Sequence, residues 1–141
     1  MPASLTRRVT FAAAHRYRVA SWSDERNAQV FGLCARANYH GHSYTCDVTV
    51  RGALDDVTGM VVDLAVLDDV LAREVRERFD HSNINMDVPE FGENRLVPTG
   101  ENLARFIFEH VQQALKNRGA AVDVSSVTVG EDATLSATWT A

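Results

Sequence analysis

Cys34, His40 and His42 place one thiol and two imidazoles within nine residues, in a chain with two cysteines and five histidines. These side chains bind transition metals and carry protons near neutral pH. From His40 the sequence alternates. His40, His42, Tyr44, Cys46, Val48 and Val50 share one face of an extended segment, and Gly41, Ser43, Thr45, Asp47, Thr49 and Arg51 share the other. The second set is polar or small, so the first faces a core. Two imidazoles one residue apart on that face can hold one ion, and Gly41 between them lets another segment come close. Imidazole suits zinc, and also copper, nickel or iron. A buried histidine alone is more often a hydrogen-bonded core residue. A third ligand is what separates the two readings.

Leu5 to His15 supplies it. Leu5, Arg7, Val9, Phe11, Ala13 and His15 share one parity, so His15 ends a strand in line with Val9 and Phe11. Pairing of this strand with the one after His42 gathers His15, His40 and His42. A catalytic zinc takes three protein ligands and keeps one position open. Cys34 is then either a fourth ligand, closing the site, or a thiolate base beside the open position. Its spacing to His40 is unlike that of structural zinc fingers, which favours the base. Asp80 and His81 are candidates for relaying its proton, with the carboxylate orienting the ring. The competing reading of that pair is a helix C-terminal cap. His110, on the apolar stripe of a later helix, reads as a packed residue.

The elements that must position these groups follow in chain order. Residues 16–39 form a long connection, ordered by Trp22, Val30, Phe31 and Cys34. It carries Arg16, Arg18, Arg26 and Arg36 against Asp24 and Glu25, a local surplus of positive charge suited to an anionic substrate. Asp55 to Gly59 is turn-rich. Asp63 then caps a helix whose stripe is Leu64, Leu67, Leu71, Val75 and Phe79, ended by Asp80-His81-Ser82-Asn83. Residues 84–98 read as irregular. A second helix starts near Thr99, has Glu101 in its first turn and stops at Gly119. Val122 to Glu131 and Thr134 to Thr140 read as a hairpin. The order ββααββ predicts an α+β domain with a four-stranded antiparallel sheet and two helices on one face. Both sheet edges would be open, so pairing with other copies is expected.

At 141 residues the chain is expected to be one domain over 1–141, with 45% apolar and 23% charged content ordinary for a globular protein. The net charge of -5 and the absence of a basic run argue against nucleic acid or an anionic membrane as partner. The first residues show no signal peptide, and two cysteines make no disulfide framework, so the cytoplasm is the expected compartment.

Over nearly its whole length the chain resembles the family of 6-pyruvoyl-tetrahydropterin and 6-carboxytetrahydropterin synthases. Phe11-Ala-Ala-Ala-His15 resembles the family's first zinc ligand, and His40-Gly-His42 with Tyr44 the other two. Ser23-Asp-Glu-Arg-Asn27 running to Val30-Phe31-Gly32-Leu-Cys34 is similar to the loop that delivers the catalytic cysteine. Thr58-Gly-Met-Val-Val-Asp63-Leu64 resembles the start of the first helix, and Asp80-His81 with Asn83 the proton-relay pair. Asp87-Val-Pro-Glu-Phe91 and Thr99-Gly-Glu101-Asn102 are further matches, and Glu131 resembles the glutamate that anchors the pterin.

The resemblance implies the tunnelling fold, in which three subunits close one barrel and two such rings stack into a homohexamer. It implies Zn2+ held by His15, His40 and His42, and 7,8-dihydroneopterin triphosphate as the small-molecule substrate. Cys34 would remove a proton, Asp80 and His81 would relay it, and triphosphate would leave by elimination. Glu131 would bind the pterin, with Thr99 and Glu101 nearby. The sequence departs from the family's common pattern at Gly100, Asp132, Ser43 and Ala37-Asn38-Tyr39, without losing a ligand or the thiol. Two products are open: 6-pyruvoyl-tetrahydropterin, or the 6-carboxytetrahydropterin of queuosine biosynthesis with release of acetaldehyde. Five residues between Cys34 and His40 resemble the pyruvoyl-forming type. A non-catalytic zinc- or pterin-binding module is the further alternative. A cupin, which also uses His-x-His, is disfavoured because Cys46-Asp47 stands where it needs a glutamate.

Overall fold

The computed structural model describes residues 2–141. β1 (Pro2–His15) and β2 (His40–Ala53) form the antiparallel pair that the alternation predicts. Val9 faces Cys46, Phe11 faces Tyr44 and His15 faces His40. β4 (Val122–Asp132) pairs with the other side of β2, and β5 (Leu135–Thr140) completes the hairpin. An irregularity opposite Thr49 and Val50 resets the parity of β4, so that Val122 and Val124 and also Val127 and Val129 are buried. A second, between Gly130 and Asp132, leaves Glu131 as the extra residue against β5. Glu131 is buried on that strand.

The sheet is mixed and five-stranded, in the order β3-β1-β2-β4-β5, which corrects the expected four-stranded antiparallel sheet. β3 (Ser82–Asn83) runs parallel to Ala13–Ala14 of β1. Two residues are too few to show a period, so alternation could not reveal it. Its cause is local: the His81 N–H donates to the Ala12 carbonyl at 2.6 Å, and Ala12 N–H donates to the Asp80 carboxylate at 2.9 Å.

Helical segments cover the buried side of the sheet. Asp63 caps α2 (Leu64–Leu71) by accepting from Ala65 N–H, and a π-helical turn (Ala72–Arg76) leads into α3 (Glu77–Phe79). Thr99 caps α5 (Gly100–Asn117) by accepting from Asn102 N–H. Gly119, at φ 72°, ends it, with Gly119 and Ala120 N–H groups donating to Lys116 and Leu115 carbonyls. The long connection contains α1 (Asp24–Phe31), which periodicity did not disclose. Its signal was capping: Ser23 accepts from Arg26 N–H, and Asp24 and Glu25 fill the first turn. Residues 84–98 hold α4 (Ile84–Asp87) and a 3-10 turn at Pro89–Phe91.

The core joins sheet and helices through stacked rings. Phe11 lies 4.8 Å from Tyr44 and 5.4 Å from Phe79 by ring centroids, and Phe79 and Phe91 both meet Phe106. The other sheet face is polar, with Arg8 donating twice to Asp47 at 2.7 and 2.9 Å. Among the described residues no helix is long and apolar enough to cross a membrane.

Candidate metal centre

His15, His40 and His42 meet where β1 ends and β2 begins, each offering a nitrogen within 4.8 Å of the others. Register puts them there: His15 faces His40 directly, and His42 faces Ala13 one step inward on the same face. Gly41 lies between them at a close approach of the two strands: a Cβ at that position would stand 3.3 Å from the Ala13 carbonyl oxygen, which would have to give by a few tenths of an ångström. Ring centroids are 4.7 Å apart for His15 and His40, and 5.1 Å for His42 with either of them.

Two observations show that the site fits a cation. The Nδ1 of His15, which is fully buried, donates to the Pro98 carbonyl at 2.8 Å, fixing the tautomer in which Nε2, with the Tyr44 hydroxyl 3.3 Å away, carries the electron pair. The buried Nε2 of His42 has no hydrogen-bond partner among the described residues. An orphaned buried polar atom is costly unless something not of the protein satisfies it. Burial first, and then the neighbouring rings His40 and His42, press the His15 pKa down to about 4 against the Pro98 hydrogen bond. Burial and His42 likewise lower that of His40. Neutral imidazoles crowded together are the state in which histidine binds metal.

The wall beside the imidazoles is acidic. Glu131, on β4, lies 3.7 Å from His42 by its Oε2, and its Oε1 accepts from the Tyr17 hydroxyl at 2.7 Å. Tyr17 also meets the His15 ring edge-on at 5.0 Å. Sequence alone gives no site role to Tyr17 or the Pro98 carbonyl, and names Tyr44 only on the ligand face beside the His40 and His42 pair. Tyr17 was findable, since it continues the parity of Phe11, Ala13 and His15; Tyr44, whose hydroxyl lies 3.1 Å from His15 Nδ1, shares that of His40 and His42. The Pro98 carbonyl carries no side-chain signal.

Cys34 sits on a 3-10 turn (Gly32–Ala35) whose backbone returns to the site, with Tyr17 N–H donating to the Cys34 carbonyl at 2.7 Å. Burial and then the Glu131 charge push its thiol up. Cys46, by contrast, is fully buried among apolar side chains, and its pKa is pushed up to about 12, mainly by that burial. It is an inert core thiol.

Asp80 and His81 form a close pair, 3.0 Å between Oδ2 and Nδ1, at the β1–β3 edge. The Ala12 N–H foremost, with His81 adding less, holds the Asp80 carboxyl below the usual range against the opposing effect of burial. His81 takes a left-handed backbone conformation (φ 59°) and leaves its side chain 86% exposed. No hydrogen bond among the described residues joins this pair to Cys34. Thr99 is occupied as the α5 cap. Gly100 and Glu101 line a small recess with Tyr17 and Glu131. At Gly100, a departure from the common pattern, a Cβ would stand 3.2 Å from that of Ala137, a tight contact.

An α+β chain with three histidines placed so that they could hold a metal ion, an adjacent buried glutamate and a nearby thiol carries the residue set of a metal-dependent enzyme. The sequence profile of the 6-pyruvoyl tetrahydropterin synthase family matches residues 4–141, and the chain belongs to that family. It is 42% identical over 113 residues to the human 6-pyruvoyl tetrahydrobiopterin synthase, covering 80% of this chain and 77% of that protein. It is 34% identical over 98 residues to the 6-carboxy-5,6,7,8-tetrahydropterin synthase of Bacillus subtilis (strain 168), covering 66% and 62%. The solved 6-pyruvoyl tetrahydropterin synthase of Caenorhabditis elegans superposes with a TM-score of 0.90 at 33% identity, covering 100% of this chain and 96% of that one.

Proposed function

We propose that this chain is a zinc-dependent 6-pyruvoyl-tetrahydropterin synthase, a carbon–oxygen lyase that eliminates triphosphate from 7,8-dihydroneopterin triphosphate. The observation that carries the reading is the convergence of His15, His40 and His42 beside Glu131 on one inward face. The three imidazoles hold zinc, which when bound polarises substrate oxygens as a Lewis acid and favours the thiolate of Cys34. Glu131 accepts hydrogen bonds from the amino and ring N–H groups of the pterin, with Tyr17 holding its Oε1 and Thr99 and Glu101 nearby. Cys34 takes a proton from the side-chain carbon. Asp80 orients His81, whose exposed ring passes protons on.

We further place residues 1–141 as one domain of the tunnelling fold, assembled in the cytoplasm as a homohexamer. Support comes from the edges: β5 has no neighbour on its outer side among the described residues, and β3 covers β1 only at Ala13 and Ala14. The choice of the pyruvoyl product over the carboxy product is supported by the higher identity to relatives named for the former.

Mass spectrometry of the products formed from 7,8-dihydroneopterin triphosphate tests the reading. The expected result is 6-pyruvoyl-tetrahydropterin with inorganic triphosphate. Stoichiometric acetaldehyde with a 6-carboxy product would assign the queuosine-pathway reaction to the same site. Pterin binding with no turnover would make the chain a binding module.

A further inference from the structure

We infer that Arg16, with Arg18 beside it, forms the binding pocket for the triphosphate of the substrate, and that Arg36 does not. The inference rests on the substrate proposed above. A cavity of about 270 Å³ is lined by Arg16, Arg18, Tyr39, Asn85, Glu93 and Asn94 among its residues. Its place follows from register. His15 faces His40, and Arg16 and Tyr39 are the next residues out on the two chain segments. The cavity therefore begins one residue of chain, at most about 3.6 Å, beyond two of the proposed metal ligands.

Arg16 is held rather than loose. Asn85 brackets its peptide, accepting from Arg16 N–H at 2.9 Å and donating to the Arg16 carbonyl at 3.1 Å. The guanidinium carbon lies 5.1 Å from the centroid of the Tyr39 ring, and Tyr39 takes a left-handed backbone conformation (φ 65°). Among the described residues no carboxylate pairs with the Arg16 guanidinium. Arg18 does have a partner, Asp24 at 2.9 Å, but that carboxylate is 84% exposed. Glu93 is the single acid lining the cavity.

Arg16 is a partly buried residue that lines the cavity with its guanidinium over a ring and no acid paired to it, and a guanidinium is a planar fork of donors. Phosphate oxygens match that fork. Asp24 offsets Arg18, so among the described residues Arg16 is the lining guanidinium left without a carboxylate, and it is the charge on that wall to which an anion can pair. Arg36 does not line this cavity.

Calorimetric titration of the zinc-loaded chain with inorganic tripolyphosphate reads the pocket without turnover. Arg16→Met keeps the stem over Tyr39 and removes the charge, so binding should weaken about tenfold or more. Arg16→Lys should recover part of it, and Arg36→Met should bind as the parent does. In turnover, Arg16→Met should raise KM for 7,8-dihydroneopterin triphosphate more than it alters kcat. Affinity for 7,8-dihydroneopterin, which lacks the phosphates, should not change. Equal tripolyphosphate affinities for parent and Arg16→Met would overturn the pocket, as would an equal loss in Arg36→Met. Binding lost in Arg16→Met, in a parent that does not turn over the triphosphate, would uphold the pocket and overturn the substrate reading instead.

Discussion

His42 Nε2 lies 3.7 Å from Glu131 Oε2, so the proposed metal ligands and the proposed pterin anchor share one wall of the site. The two residues come from adjacent strands, and the irregularity between Gly130 and Asp132 is where β4 delivers the glutamate. Bulges re-aim side chains in this way beside active sites.

Glu131→Gln should therefore separate the two functions. Zinc content should stay at the parental level, because the three imidazoles are untouched. Pterin affinity should fall about ten- to a hundredfold, the worth of hydrogen bonds to a charged acceptor. Calorimetry with 7,8-dihydroneopterin checks this, and loss of zinc in the same variant would show that Glu131 supports the metal instead.

Metal analysis of single variants tests the ligand set. His15→Ala, His40→Ala and His42→Ala should each lower zinc occupancy sharply, and Cys34→Ala should keep the metal while abolishing turnover. His110 is tied to its own helix, with Nδ1 donating to the Phe106 carbonyl at 2.8 Å, so His110→Ala should leave zinc unchanged. An empty site in Cys34→Ala would make the thiol a ligand.

The imidazole triad was legible in the sequence because strand parity is a property of side-chain order alone. The same parity located Phe11, Tyr44 and Val48 in the core, all buried as expected. What escaped was held by backbone: the Pro98 carbonyl on His15, and the Ala12 peptide that draws β3 onto the sheet. Peptide groups are the same at every position, so no residue type marks which of them are used. The helix α1 escaped for another reason. It is short, and Asn27 is its one buried residue, so it lacks the apolar stripe that announces a helix.

Stability of the zinc-free chain should fall with pH between 6.5 and about 4. Burial puts the folded-state His15 pKa at about 4, below its ordinary 6.5. Within that window the unfolded chain binds more protons than the folded one, so stability is full above it and declines as pH drops. The loss attributable to this ring is at most on the order of 3 kcal/mol. Denaturant titrations at pH 7 and pH 4.5 check it, and equal stability at both would contradict a neutral buried imidazole.

His81→Asn addresses the two readings of the Asp80–His81 pair. Asparagine tolerates the left-handed backbone at this position, so the fold should be retained within about 0.5 kcal/mol. If the ring relays protons, kcat should fall about a hundredfold or more and the pH–rate profile should change shape. An unchanged kcat would reduce the pair to the cap that ends the helix and docks it on Ala12.

The central claim is that the three histidines hold a metal on which turnover depends. The most direct measurement is the rate of 7,8-dihydroneopterin triphosphate consumption before chelation, after it, and after one equivalent of Zn2+ is restored. The expected result is loss of turnover on stripping and its return with the ion. A stripped chain, shown by metal analysis to be free of zinc, that still consumed substrate at the parental rate would contradict the account.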